Sequence, residues 1–364
     1  MTPRQSLGRS GKSDIQLGSR RVDSDSTPYV IAEIGVNHEG SIEIAKRLVE
    51  LAKEGGADAA KFQTYKAETL ASRHSPAYWD TTKEATLSQY ELFKKYDAFG
   101  APEYEVLAEH CKKVGIEFIS TPFDDGAVDM LDSLVPFFKI ASADITNTPL
   151  LRRVARTGKP VVLSVGAATI PEIDEALSTL RSAGANSIAL LHCILNYPTS
   201  DEHANLRMIG DLAARYPECV IGYSDHTTPK PGLPSLLAAW LLGAVILEKH
   251  FTHDTSLPGN DHYHAMTVDD VRSFRSEVSR IAPLLGDRSK HPLESEEIAR
   301  KNARRSIVVS RDLPVGHRIA ESDITYKRPG TGISPLSWDD VIGRTTRRAL
   351  AVDDVLQWAD LSEA

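Results

Sequence analysis

From Tyr29 to about Pro283 one unit recurs: a short apolar run, a polar loop, then an amphipathic helical segment. The apolar runs are YVIAEI, DAAKFQ, IEFIST, FFKIAS, PVVLSV, SIALLHC, VIGYSD and AVILEKHF. Between them, SIEIAKRLVELAKEGG puts Ile44, Leu48 and Leu51 on one helical face with Gly55 as a stop. IPEIDEALSTLRSAG does the same, with Pro171 in its first turn and Gly184 at its end. Eight strand-helix units in about 250 residues is the count of a closed (β/α)8 barrel. A doubly wound open sheet competes, but it predicts a GxGxxG turn after the first strand, and the sequence there is GVNHEG. The expected class is therefore α/β, a (β/α)8 TIM barrel.

Residues outside the repeat set the domain plan. DIQLGSRRV, before the first strand, reads as a hairpin plugging the face opposite the loops, and residues 1–13 read as a disordered tail. The stretch from Glu68 to Gly100 is too long for a simple connection and reads as a loop over the barrel mouth. The plan is a barrel over 14–285, a charged linker over 286–301, and a small β-rich module over 302–364 marked by short runs, Pro and Gly. A net charge of −8 without a basic block argues against nucleic-acid binding. No apolar run reaches membrane-spanning length, and no secretory signal is visible. Three scattered cysteines, Cys111, Cys193 and Cys219, fit a reducing compartment, so a cytoplasmic location is expected.

In such a barrel the C-terminal ends of the strands build the site, and polar groups gather at those ends. Strand one offers Glu33, strand two Lys61 and Gln63, strand three Thr121, and strand four Lys139 and Ser142. Strand five offers Ser164, strand six His192 with Asn196 and Tyr197 beyond, strand seven Ser224, Asp225 and His226, and strand eight Glu248 and His250. Side chains two apart on a strand share a face, so Lys61 with Gln63, Ser224 with His226, and Glu248 with His250 project together. Two imidazoles from neighbouring strands, His226 and His250, suit a divalent metal with open positions. Glu248 serves there as ligand, orienting group or sugar acceptor. Lys61 and Lys139, ringed by hydroxyls, suit a small anion bearing phosphate and carboxylate. His192 reads as a core histidine, His253, His262 and His264 as loop residues, and His38 and Glu39 as shapers of the first loop.

AEIGVNHEG, KFQTY, KIASAD, GYSDHT, EKHFT and PGNDHYHAM, followed by VGHRIAESDI and KRPGTGISP, resemble the sialic acid synthase family over about residues 15–360. The C-terminal segment resembles that family's antifreeze-like (SAF) domain. The resemblance implies condensation of phosphoenolpyruvate with an N-acylated hexosamine to a nonulosonic acid. It assigns phosphoenolpyruvate to Lys61, Gln63, Thr121, Lys139, Ser142, Ser164 and Ser224, with Glu33 as catalytic carboxylate beside the two lysines. It assigns the sugar to Tyr197, Glu248 and Asp261, and a divalent ion, Mn2+ before Mg2+ or Co2+, to His226 and His250. It implies a domain-swapped homodimer in which Arg328 reaches the sugar site of the other subunit. The sequence departs from the N-acetylneuraminate synthase pattern at Leu195, where that pattern has Asn, and at Asp144, where Glu is frequent. These positions bear on the sugar more than on the chemistry. Legionaminic, pseudaminic and 9-phosphate products stay open, as do a Schiff-base aldolase and an inactive sugar-binding scaffold.

Overall fold

The computed structural model describes residues 13–79, 81–82, 84–259, 261–287 and 289–362. The tail expected over 1–13 lies outside them apart from Ser13, whose hydroxyl donates to Cys219 O. Two compact units divide at Leu284 and Leu285.

The first unit is the expected barrel. Its strands are β1 (Tyr29–Gly35), β2 (Ala59–Thr64), β3 (Glu117–Pro122), β4 (Phe138–Ile140), β5 (Val161–Ser164), β6 (Ile188–Cys193), β7 (Val220–Asp225) and β8 (Ile246–His250). They form one parallel sheet in the hydrogen-bonded order β3-β2-β1-β8-β7-β6-β5-β4, and β3 and β4 lie against each other to complete the ring. Almost every strand residue is buried, as a sheet covered on both faces requires. Between β1 and β2 runs α1 (Ile42–Gly55), capped by Ser41, whose side chain accepts from Ile44 N. The helix passes through Gly55; the left-handed stop is Gly56, with φ 96°. The segment DIQLGSRRV does form a hairpin, Asp14–Leu17 against Arg20–Asp23. Its Ile15, Leu17 and Val22 are buried in the barrel core, and Ser19 N donates to Glu117 at the N-terminal end of β3. It therefore closes the face opposite the strand C-termini.

The strand pairing fixes the level of the polar side chains. His250 stands opposite Glu33, Glu33 opposite Lys61, Gln63 opposite Thr121, and Glu248 opposite Ser224. The β1–β2 register slips between Glu33 and Gly35, where the chain leaves the barrel wall. Gly222 in β7 lies so close to β8 that a Cβ there would meet Ile246 O at 2.4 Å.

The long insertion is not a plain loop. It contains a short helix, Ala67–Leu70, and a second, Gln89–Tyr96, capped by Ser88. The second unit holds the helix Glu297–Ala303, in the segment read as a linker, and a two-stranded antiparallel sheet, Ser306–Val309 with Ile324–Lys327. Isolated bridges such as Leu313 with Leu350 extend that pairing around a core of Ile307, Val309, Ile324, Leu350 and Leu356. No described helix is long and apolar enough to cross a membrane.

Candidate active site

A cavity of about 560 Å³ opens at the C-terminal ends of the strands. It is lined by Glu33, Lys61, Gln63, Thr121, Lys139, Ser142, Ser164, Tyr197, Ser224, His226, Glu248 and His250. Twelve candidate site residues thus converge in one ligand-sized space, and Asp144 and Leu195, where the sequence departs from the family pattern, line it as well. Ser142 reaches it from a 3-10 turn, Ser142–Asp144, rather than from β4, and its Oγ accepts from Gly166 N at 2.8 Å. Asp261 lines a smaller neighbouring space of about 110 Å³, which shares Gln63, Tyr197 and His250 with the main cavity. Arg328 belongs to the second unit, where it is exposed before Pro329.

Four buried charges form the floor. Lys61 Nζ lies 2.6 Å from Glu33 Oε2 and 3.8 Å from Glu248 Oε1, and donates to Thr121 Oγ1 at 3.2 Å. Lys139 Nζ lies 3.5 Å from Glu248 Oε1. Gln63 Nε2 donates to Glu33 Oε1 at 2.8 Å, and Ser224 Oγ to Glu248 Oε1 at 3.1 Å. The two carboxylates are driven apart in acidity. Burial raises Glu33 against the pull of Lys61, and the negative charge of Glu248 adds to the rise. Glu248 is held below its ordinary value because Lys139 and Lys61 outweigh its burial. The ammoniums split likewise: burial lowers Lys139, whereas at Lys61 burial is overcome by Glu248 and Glu33, which raise it. Divergent environments of this kind separate a proton-exchanging carboxyl, Glu33, from a fixed negative charge, Glu248.

His226 and His250 lie side by side with ring centroids 5.5 Å apart and planes tilted by 57°, and Tyr197 packs against His226 at 4.1 Å with a tilt of 37°. His226 Nδ1 lies 2.7 Å from Ile194 O. A carbonyl can only accept, so Nδ1 carries the proton and Nε2 keeps its lone pair. Burial lowers His226 to about 4 and His250 well below its ordinary value, so both rings are neutral at pH 7. His250 Nδ1 is buried without a hydrogen-bond partner, 3.5 Å from Asp261 Oδ2. Burial, and then the charge of Glu33, raises the Asp261 carboxyl to about 7. Neutral imidazoles with an unmatched nitrogen beside a carboxyl group fit a divalent cation in their donor chemistry. Ser164 Oγ and Glu248 Oε2 are likewise buried without partners among the described residues, which suits a polar ligand.

Behind this wall, Lys249 and Asp225 are wholly buried and joined at 2.9 Å. They point away from the cavity because they alternate with Glu248, His250, Ser224 and His226. The charged triplet at Glu248–His250 thus divides into two cavity groups and one structural ion. The sequence reading counted Asp225 among the groups strand seven offers to the site; the structure turns it away, paired with Lys249 at the matched position of the adjacent strand. The insertion, read as a loop over the barrel mouth, lines the cavity with Tyr78, Gln89 and Phe93, and sequence reasoning passed over the last two. The motif SQYE at Ser88–Glu91, a helix-start signature, marked the helix that presents the last two. His192 is a core histidine as read, with Nε2 2.8 Å from Ala204 O. His253 is an exposed loop residue, but His262 and His264, though in turns, are buried.

The chain matches the NeuB family over residues 48–290 and the SAF domain over residues 304–362. It is 40% identical over 348 residues to an uncharacterized protein of Methanocaldococcus jannaschii, covering 95% of this chain and 98% of the relative. It is 38% identical over 342 residues to the N,N'-diacetyllegionaminic acid synthase of Legionella pneumophila, covering 92% and 95%. Among solved structures, the N-acetylneuraminic acid synthetase of Leptospira borgpetersenii in complex with citrate superposes with a TM-score of 0.70 at 35% identity, covering 79% of this chain and 95% of that one.

Proposed function

The chain belongs to the NeuB family and ends in a SAF domain, and on that premise we propose that it is a nonulosonic acid synthase. It condenses phosphoenolpyruvate with an N-acylated hexosamine of the N-acetylmannosamine type, consuming water and releasing phosphate. The observation that carries this reading is the joint presence, in one cavity, of Lys61 and Lys139 with Glu33 on one side and the His226–His250 pair on the other.

The two ammoniums and the hydroxyls of Thr121, Ser142, Ser164 and Ser224 hold phosphate and carboxylate, fixing C3 of the enol toward the aldehyde. C3 bonds to the aldehyde carbon, water oxygen bonds to C2, and the C2–O bond breaks as phosphate departs, leaving a 2-keto acid. Glu33, raised by burial, takes the proton that the water loses. The proton that the new hydroxyl needs balances the one that the water gives up, so the step requires no outside acid. A divalent cation at His226 and His250, Mn2+ before Mg2+ or Co2+, would polarise the aldehyde oxygen as a Lewis acid.

The test is phosphate release from phosphoenolpyruvate with a panel of acceptor sugars. Glu33→Gln should lower kcat by about 10²- to 10⁴-fold with little change in phosphoenolpyruvate affinity; unchanged turnover refutes the assignment. A second acceptor, a 6-deoxy diacetamido hexosamine leading to legionaminic acid, is supported by the 38% identity to the Legionella pneumophila enzyme. The sugar that gives the highest kcat/KM decides between them.

A further inference from the structure

Most buried histidines here have a ring nitrogen anchored. His38 Nδ1 accepts from Gly40 N at 3.1 Å, His192 Nε2 meets Ala204 O, His226 Nδ1 meets Ile194 O, and His262 Nδ1 lies 2.8 Å from Thr252 Oγ1. His264 differs. It is 0% exposed, and neither Nδ1 nor Nε2 has a hydrogen-bond partner among the described residues. A buried neutral imidazole owns one donor and one acceptor, and each left unmatched costs about 1–3 kcal/mol. An unmatched ring packed against His250, which lines the cavity, calls for a ligand.

The surroundings supply the direction. One donor atom each from His250, Asp261 and His264 lie within 4.8 Å of one another. The His264 ring centroid is 4.7 Å from that of His250 and 6.3 Å from that of His226. Donors about 2.1 Å from a shared ion and on one side of it are separated by roughly 3.0–3.4 Å; His250 Nδ1 and Asp261 Oδ2 already stand 3.5 Å apart, and the widest gap closes by a side-chain movement of about 1–2 Å. Two imidazoles and one carboxylate on one side of an ion leave the other side open, a donor set suited to borderline divalent cations.

We propose that His264 is a metal ligand, gathering a divalent cation with His250 and Asp261, so that the site extends beyond the His226–His250 pair. This deepens the proposed function and rests on it for the cation's role in the reaction, though not for its binding. Asp261 then turns from the sugar toward the ion. Tyr197 and Tyr263, whose rings stand 5.7 and 5.0 Å from His264, wall the ring in and hold it toward His250.

The experiment is a Co2+ titration of the full chain, stripped by chelation, followed by visible absorption without substrate. The intact chain should bind with a ligand-field band. His264→Phe, which keeps the ring volume, should bind more than about 10-fold more weakly and with a shifted band. Its melting temperature without metal should equal or exceed that of the parent, because an unmatched polar ring has gone. His264→Asn, smaller and able to ligate weakly, should fall between; it also serves if the Phe variant fails to fold. Unchanged Co2+ affinity and band in either folded variant overturn the proposal, as does a parent chain that binds no Co2+. Phosphate release is scored separately: a parent that binds Co2+ but never releases phosphate defeats the proposed reaction and leaves the ligand assignment standing.

Discussion

Lys249→Met removes one member of a pair in which both side chains are fully shielded and the Nζ–Oδ2 distance is 2.9 Å. Methionine keeps the apolar stem and much of the volume, so little cavity forms. What is left is Asp225, a buried carboxylate stripped of its counter-ion, and breaking one side of such a pair costs about 3–5 kcal/mol. Asp225 still accepts from Tyr223 OH at 2.9 Å, Thr227 N at 2.8 Å, Thr227 Oγ1 at 3.1 Å and Ser235 Oγ at 2.8 Å, which places the loss near the lower limit. A loss of about 3 kcal/mol lowers the melting temperature of a domain this size by roughly 6–12 °C. Differential scanning calorimetry of the full chain checks this, following the larger transition because the chain has two units. Asp225→Asn with Lys249→Met should recover at least half of the loss, since no lone charge then stays buried. A single variant within about 0.5 kcal/mol of the parent, or a double variant no better than the single, would refute the reasoning.

Gly222→Ala should destabilise the barrel by about 1–3 kcal/mol, toward the upper end because the atom met at 2.4 Å is backbone, Ile246 O, and cannot swing aside; chemical denaturation reads it. In the second unit, the Asp323 carboxylate accepts from Ala320 N at 2.8 Å, His317 Nε2 at 2.7 Å and Arg311 Nε at 2.8 Å. Although burial acts the other way, these donors lower its pKa to about 2. A lowered carboxylate contributes stability in full above its ordinary range near pH 4 and loses it as the pH falls toward 2. Asp323→Asn should therefore flatten the acid limb of that unit's stability curve, measured by circular dichroism between pH 5 and 2; an unaltered limb contradicts the assignment.

The barrel was legible because apolar runs of strand length alternate with helical segments, two of them plainly punctuated: glycine after α1, and Pro171 and Gly184 around IPEIDEALSTLRSAG. The site was legible for a geometric reason. Parallel strands present their C-terminal ends together, and alternation then decides which side chains share a space. Where the chain leaves regular structure that logic stops. Nothing periodic separates buried His264 from exposed His253, because burial in a turn depends on distant residues such as Tyr197. Ser142 was assigned to a strand that in fact ends at Ile140, since the run FFKIAS does not mark where its ladder stops. Closure was similarly silent: β3 and β4 meet without appearing as neighbours in the hydrogen-bonded order, and no residue pattern announces that seam.

The floor of the cavity holds two ammoniums and two carboxylates within 3.8 Å contacts, so it starts out electrically balanced. An entering anion therefore finds no surplus positive charge, and must bring company or acquire it. Either a cation settles first at the histidine side, or a carboxyl on the wall picks up a proton as the anion arrives. Order of addition follows from this neutrality: anion uptake should be weak in chelated protein, strengthen once metal is supplied, and weaken again as alkalinity removes the proton.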